Sequence, residues 1–224
     1  GVIYKKNIEN FYLYDKQYNN LDKVRYSKKS DEYIYPKIFK NLLTKEEIKY
    51  IIEYSKIRLR TSSVVGYENK SYDEITKLRK SRQTWIPKHD DVIKSIMKRV
   101  SKIVNKPIDN FEELQVVHYN PNNFYKQHHD ACCTKDKACK EFVNRGGQRL
   151  YTMLIYLNDK FTGGETHFPE LNKKIKLRPG DGILFNTLDK DQKGCHPKAL
   201  HAGLPVKSGE KWICNIWVRE NKFT

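Results

Sequence analysis

From Leu114 onward, apolar and polar positions alternate in short runs broken by turn residues: LQVVHY, FYKQHHD, RLYTMLIYLN, GETHF, KKIKLR, DGILFN, KALHAGLPV and KWICNIWV. A period of two is that of half-buried strands, and these runs predict about eight of them. No helical stretch separates them, which favours an antiparallel sandwich or jelly roll over a parallel sheet. Before Leu114 the period is helical. Ile48, Ile51, Ile52 and the run Tyr54 to Ile57 form an apolar stripe behind Thr44-Lys45-Glu46-Glu47, where Thr44 can cap and Glu47 can reach back. Val92, Ile93, Ile96, Val100, Ile103 and Val104 predict a second helix over about Asp91 to Asn105. The expected fold is α+β, mainly β: a double-stranded β-helix (jelly-roll) core over about residues 111–220 with supporting N-terminal helices.

Residues 1–33 are polar and rich in Tyr and Lys without a period, and read as an arm beside a single domain over 34–224. The stretch Thr61 to Lys77, with Gly66, Asn69 and Asp73, is too long for a turn and too polar for core, so it is a candidate lid. The polar segment from Ala131 to Gln148 is a second candidate flap. With 38% apolar and 31% charged residues the composition is that of a soluble globular protein. No run of membrane-spanning length occurs, and the first residues lack an apolar stretch followed by a cleavage site, so neither a span nor an intact signal peptide is expected. A formal charge of +16 would attract polyanions, but the basic residues are spread along the chain, and no nucleic-acid partner is expected.

The five cysteines contain no CxxC pair, which argues against structural zinc. Cys132, Cys133 and Cys139 crowd one segment, either as a local disulfide or as thiols, and the odd count leaves at least one cysteine unpaired.

The chemistry concentrates in Gln127-His128-His129-Asp130 and in Ala199-Leu200-His201-Ala202-Gly203. Positions two apart on a strand share a face, so His128 and Asp130 can grip one ion while His129 faces away. His201, at the start of a later strand, supplies a third ligand. Two histidines and one carboxylate form a facial triad that leaves three positions on iron(II) open for an oxo-acid and dioxygen. His118, His167 and His196 read as packing or surface residues. Ten residues after His201, Lys211 can enter the same cavity, where its ammonium would neutralise the far carboxylate of 2-oxoglutarate. On its strand Lys211, Ile213, Asn215 and Trp217 share one face, and Trp212, Cys214, Ile216 and Val218 the other.

An ordered series of segments resembles the prolyl 4-hydroxylase family, in the branch with collagen-type, plant, algal and viral enzymes. It covers about residues 37–219: Arg79-Lys80-Ser81 before Trp85, Leu114-Gln115-Val116-Val117 before Tyr119, Tyr125 three before His128, Arg149 to Asn158, Gly163-Gly164-Glu165-Thr166, Gly180-Asp181 before Leu184-Phe185, and His201 through Trp217. The resemblance implies that His128, Asp130 and His201 hold iron(II), that Lys211 binds 2-oxoglutarate, and that Tyr119, Thr152 and Tyr156 help to seat it. It also implies that Tyr125, Arg149 and Trp217 touch substrate. Each of these tyrosines reads equally as an aromatic core position in a chain with 15 of them. Gly163-Gly164 has a backbone explanation, a tight turn between strands.

The activity implied is hydroxylation of prolyl residues in a proline-containing, collagen-like or proline-rich peptide or protein, with iron(II), 2-oxoglutarate, dioxygen and ascorbate. The resemblance leans toward the endoplasmic reticulum or secretory pathway, with the cytoplasm as alternative, and a monomer is the favoured oligomeric state. A polyproline II peptide is pre-extended and can stack prolines on Tyr125 or Trp217. Rival readings are the same chemistry on lysine, on one proline of a regulatory protein or on alkylated nucleic acid, and a non-catalytic jelly-roll binding module. The first three ordinarily use arginine where this chain has Lys211, and the fourth has no need of three ligands and Lys211 together.

Overall fold

Two helices form as their caps dictate. In the computed structural model, which describes residues 21–26, 33–65, 69–134, 136–192 and 194–224, helix α1 (Lys45–Lys56) begins with a reciprocal box in which the Thr44 hydroxyl accepts from the Glu47 N–H and the Glu47 carboxylate from the Thr44 N–H. Helix α3 (Asp91–Val104) is capped by Asp90, whose carboxylate accepts from the N–H groups of Val92 and Ile93, and it ends where Asn105 turns left-handed at φ 51°. Between them lies a short helix, α2 (Tyr72–Leu78), boxed by Ser71 and Glu74. The candidate lid is therefore partly helical. Its Gly66, like most of the polar arm, lies outside the described residues.

The strands are β1 (Lys37–Phe39), β2 (Arg60–Thr61), β3 (Arg79–Lys80), β4 (Arg82–Ile86), β5 (Leu114–Tyr119), β6 (Phe124–His128) and β7 (Arg149–Tyr156). After them come β8 (Phe161–Gly163), β9 (Thr166–Phe168), β10 (Lys173–Ile175), β11 (Gly182–Asn186), β12 (His201–Gly203), β13 (Val206–Gly209) and β14 (Lys211–Arg219). All ladders are antiparallel. They make a seven-stranded sheet in the order β1-β11-β7-β14-β5-β4-β2, a five-stranded sheet β10-β9-β12-β6-β3, and the pair β13-β8. The run from Lys198 to Val206, expected as one strand, divides into β12 and the start of β13, and β8 emerges as an additional strand.

Alternation along the central strand β14 sorts the molecule into layers. Trp212, Cys214, Ile216 and Val218 join Ile51, Ile93, Ile96, Met97 and Val100 in a core between the large sheet and the two long helices. Ile213, on the opposite face, joins Val117, Leu154, Tyr156, Phe168 and Phe185 between the two sheets. Helices thus cover one face of the large sheet, and its other face, with the smaller sheet, encloses a space lined by both. The segment after Asp130, expected as an irregular loop, contains helix α4 (Lys137–Asn144), started by Asp136 accepting from the Cys139 N–H. Two disulfides fasten it, Cys132–Cys139 and Cys133–Cys195, while Cys214 is free and buried. Among the described residues no helix is long and apolar enough to cross a membrane.

Candidate active site

Strand pairing brings the three expected ligands together. His128 ends β6 and His201 begins β12, and the two are opposite one another in the antiparallel register. Asp130, two residues past His128, completes the cluster: its Oδ1 lies 3.5 Å from His128 Nε2 and 3.6 Å from His201 Nε2. One ligand atom from each of the three falls within 4.8 Å of the others.

Every other polar atom of these side chains is engaged. The Nδ1 atoms of His128 and His201 lie 2.7 and 2.9 Å from the carbonyls of Lys126 and Ala199, which leaves both Nε2 atoms facing the shared point. Asp130 Oδ2 accepts from the Thr152 hydroxyl at 2.6 Å and from Trp217 Nε1 at 3.1 Å. Thr152 and Trp217 are register partners on β7 and β14, so the large sheet steers a carboxylate that stands just past the end of β6 in the small sheet. The remaining oxygen points between the imidazoles. Two imidazole nitrogens and one carboxylate oxygen on one side of a point form the donor set of a two-histidine, one-carboxylate centre with open positions, and the residues fit iron(II).

The electrostatics agree with that donor set. Burial pushes the Asp130 carboxyl up, but His201, His128 and Arg149 outweigh it and hold the group well below the usual carboxylate range. Burial lowers His201 to about 4 against the pull of Asp130, which keeps its imidazole neutral near pH 7. Tyr125 stacks on His128 with centroids 3.6 Å apart, and the edge of Phe185 meets His201.

Lys211 reaches the inner end of the same cavity, with Tyr119, Leu154, Thr166, Ile213 and Asn215 among its walls. It is 1% exposed and makes no ion pair among the described residues. Its Nζ lies 5.0 and 5.4 Å from the ring centres of Tyr119 and Tyr156. Burial, opposed only by Glu165, lowers its pKa to about 7. A buried cation held so weakly is a seat for an anion. The hydroxyl of Tyr156 is bonded to Thr166 Oγ1 and the Ile175 carbonyl and Thr152 serves Asp130, and neither Tyr156 nor Thr152 lines the cavity, so the expectation that they seat the co-substrate is met only by the nearness of the Tyr156 ring to Lys211. Gly163 and Gly164 both take left-handed φ values, 66° and 67°, and a Cβ at Gly164 would stand 3.3 Å from the Lys211 stem. The turn they form also makes room for the lysine.

Outward from the cluster opens a cavity of about 470 Å³ that includes Tyr125, Arg149 and Trp217. Arg149 is clamped through two hydrogen bonds to the buried Glu112, at 2.6 and 2.7 Å, and its guanidinium lies 3.6 Å from the Trp217 ring centre. Packing and cavity lining coexist in this one side chain. Sequence patterning did not single out Glu112, nor Arg79, which lies over the Tyr125 ring at 4.5 Å and lines both ends of the cavity. The Arg79-Lys80-Ser81 motif was the available signal for the second. His118 pairs with Glu210, His196 stacks on Tyr33 and His167 lies on β9, all outside the ligand cluster.

Comparisons with known proteins agree with this geometry. Residues 114–219 match the 2OG-Fe(II) oxygenase superfamily. A protein of Acanthamoeba polyphaga mimivirus named "Putative prolyl 4-hydroxylase" is 42% identical over 212 residues, 95% of this chain and 85% of that protein. Prolyl 4-hydroxylase 1 of Arabidopsis thaliana is 32% identical over 198 residues, 82% of this chain and 68% of its own length. Among solved structures, the viral collagen prolyl hydroxylase from Paramecium bursaria Chlorella virus-1, as its 2OG complex, superposes with a TM-score of 0.62 at 34% identity, covering 83% of this chain and 96% of that one.

Proposed function

The chain belongs to the prolyl 4-hydroxylase family of the 2OG-Fe(II) oxygenase superfamily, and from that premise we propose that it is a prolyl 4-hydroxylase acting on proline-containing, collagen-like or proline-rich peptides or proteins. The observation that carries the reading is the pairing, within one cavity, of the His128, Asp130 and His201 cluster with the unpaired ammonium of Lys211. One centre holds a metal with positions open, and the other suits the far carboxylate of a five-carbon oxo-diacid.

In this reading His128, Asp130 and His201 hold iron(II). With 2-oxoglutarate and dioxygen bound, iron(II) supplies the oxidation, in which the co-substrate becomes succinate and carbon dioxide while the second oxygen atom enters a prolyl C–H bond. The chain's own residues position and exclude. Lys211 fixes the far carboxylate through a charge-assisted hydrogen bond, and Tyr119 and Leu154 keep water from the co-substrate. Thr152 and Trp217 hold Asp130 so that one oxygen faces the metal. Tyr125, Arg149 and Trp217 line the outer cavity, where a proline ring would pack against them. Two disulfides support an oxidising compartment, the endoplasmic reticulum or secretory pathway.

The test is succinate release by purified protein with iron(II), ascorbate and 2-oxoglutarate, comparing a Gly-X-Pro peptide with a proline-free control, followed by mass spectrometry. The expected result is a gain of about 16 Da on proline, the mass of one inserted oxygen, absent in His128→Ala. Succinate formed without any modified proline would overturn the substrate class and leave the oxygenase.

A further inference from the structure

We infer that the segment Leu21–Tyr26 is a wall of the peptide groove that reads residues flanking the target proline, an inference resting on the prolyl hydroxylase reading above. The outer cavity has a mixed lining. Toward β4 it presents Gln83, Gln115 and Trp85, a polar and aromatic surface. Leu21 and Val24 line it as well, beside the apolar Ala131, Ala138 and Phe142 and the polar Thr134, Asp136 and Lys137 of the segment after Asp130. Leu21 and Val24 lie far from every other lining residue in sequence, yet they line the same cavity.

The segment is held there by specific contacts. The Arg25 N–H donates to the Cys133 carbonyl at 2.9 Å, and Tyr26 forms a parallel bridge with Cys195. It therefore lies across the Cys133–Cys195 disulfide, whose halves follow Asp130 by three residues and precede His201 by six. Val24 packs against the cluster of Ala131, Leu150, Leu188 and Cys195. The Tyr26 hydroxyl meets His129 Nε2 at 3.1 Å, so the segment touches the residue between two ligands. A segment anchored beside the metal cluster that adds the apolar Leu21 and Val24 to a mixed lining suits a second prolyl ring of a polyproline II chain, whose backbone carbonyls meet polar neighbours such as Lys137. Preference for proline-rich over isolated-proline substrates thus arises in part from Leu21 and Val24.

The experiment compares kcat/KM on two peptides, one of ten residues with prolines on both sides of the target and one tripeptide centred on it, for the wild type, Val24→Ser and Arg25→Pro. The first variant removes apolar surface in place, and the second deletes the N–H that pins the segment to Cys133. The expected result is a fall of about fivefold in the long-to-short ratio, carried by KM for the long peptide, since losing one apolar contact of about 1 kcal/mol changes binding by that factor. A parallel fall for both peptides in both variants would mark a merely structural segment and overturn the inference, as would an unchanged ratio. Wild-type protein that modifies neither peptide would overturn the proposed function, and this wall with it.

Discussion

Glu112 and Asp130 are both buried carboxylates held in the ionised form by neighbouring cations, yet they sit in opposite kinds of surroundings. Glu112 accepts from Arg149 Nε and Nη2 and from Arg219 Nε, so both of its oxygens are taken by guanidinium groups. Burial pushes its carboxyl up and the two arginines bring it below the ordinary value. Asp130 has one oxygen taken, by Thr152 and Trp217, and the other turned toward two imidazoles that themselves have a nitrogen to spare. A saturated buried charge ties segments together, here β7 and β14 to the stretch before β5. An unsaturated one, beside groups equally unsaturated, is a place prepared for an ion. Arg149 joins the two regions, since it pairs with Glu112 and stacks on the Trp217 that holds Asp130.

The comparison breaks most sharply at Asp130 itself. Asp130→Asn keeps an oxygen for Thr152 and Trp217 but offers the metal no charge, and the expected outcome is loss of stoichiometric iron(II) and succinate formation at background, with little change in urea midpoint. Iron content and turnover of the same preparation check it. Glu112→Gln is the reverse case. Leaving two buried arginines against a neutral amide is expected to cost about 3–5 kcal/mol of stability, read as a lowered urea midpoint, while folded protein still binds iron(II). If Asp130→Asn destabilised as much as Glu112→Gln, the distinction between tied and open carboxylates would be lost.

How far the sequence foretold these two regions differs in an instructive way. Asp130 was legible because HxD sets two donors two residues apart, although β6 ends at His128 and Asp130 stands just past it rather than on the strand face, and His201 because a strand of suitable pattern begins there. The β14 alternation from Lys211 to Val218 appears as read, since a central strand between two apolar layers must alternate cleanly. Glu112 was not legible: its partners Arg149 and Arg219 lie 37 and 107 residues away, and nothing local marks a glutamate for burial. Strands β3 and β4 were missed for a related reason, because their buried positions include the polar Arg79, Gln83 and Thr84, which show no hydrophobic period. Helix α4 hid among cysteines and lysines although Asp136 before Cys139 was a usable cap signal. The Cys133–Cys195 bridge, 62 residues apart, is fixed by tertiary placement alone.

A milder change sharpens the account of Asp130. Thr152→Val removes the hydroxyl that donates to Oδ2 and keeps the shape of the side chain, so stability should move little. The open oxygen would then be less firmly aimed, and iron(II) affinity is expected to fall about 10- to 100-fold, as for other lost partners of metal ligands. A metal titration of the variant checks this, and unchanged affinity would assign the steering to Trp217 alone.

The gentlest perturbation, a change of pH alone, concerns Lys211, the buried cation with no ion-pair partner among the described residues, which stands to Arg149 as Asp130 stands to Glu112. Its pKa is lowered to about 7 by burial, so without an anion the folded protein sheds this proton as pH rises through about 7, while the unfolded chain keeps it to near 10.5. Considered alone, the group therefore lowers stability at acid and neutral pH, and stability rises with pH between the two values. A 2-oxoglutarate carboxylate pairing with the ammonium restores the proton, so binding above pH 7 must take one up, and affinity is expected to weaken by about tenfold per pH unit there. Titration calorimetry between pH 6 and 9, in buffers of different ionisation enthalpy, reads both the slope and the proton. Lys211→Arg, charged throughout this range, should bind with a flat profile. A flat profile in the wild type would instead mean that Lys211 keeps its charge while empty, and that the cavity solvates it better than its burial implies.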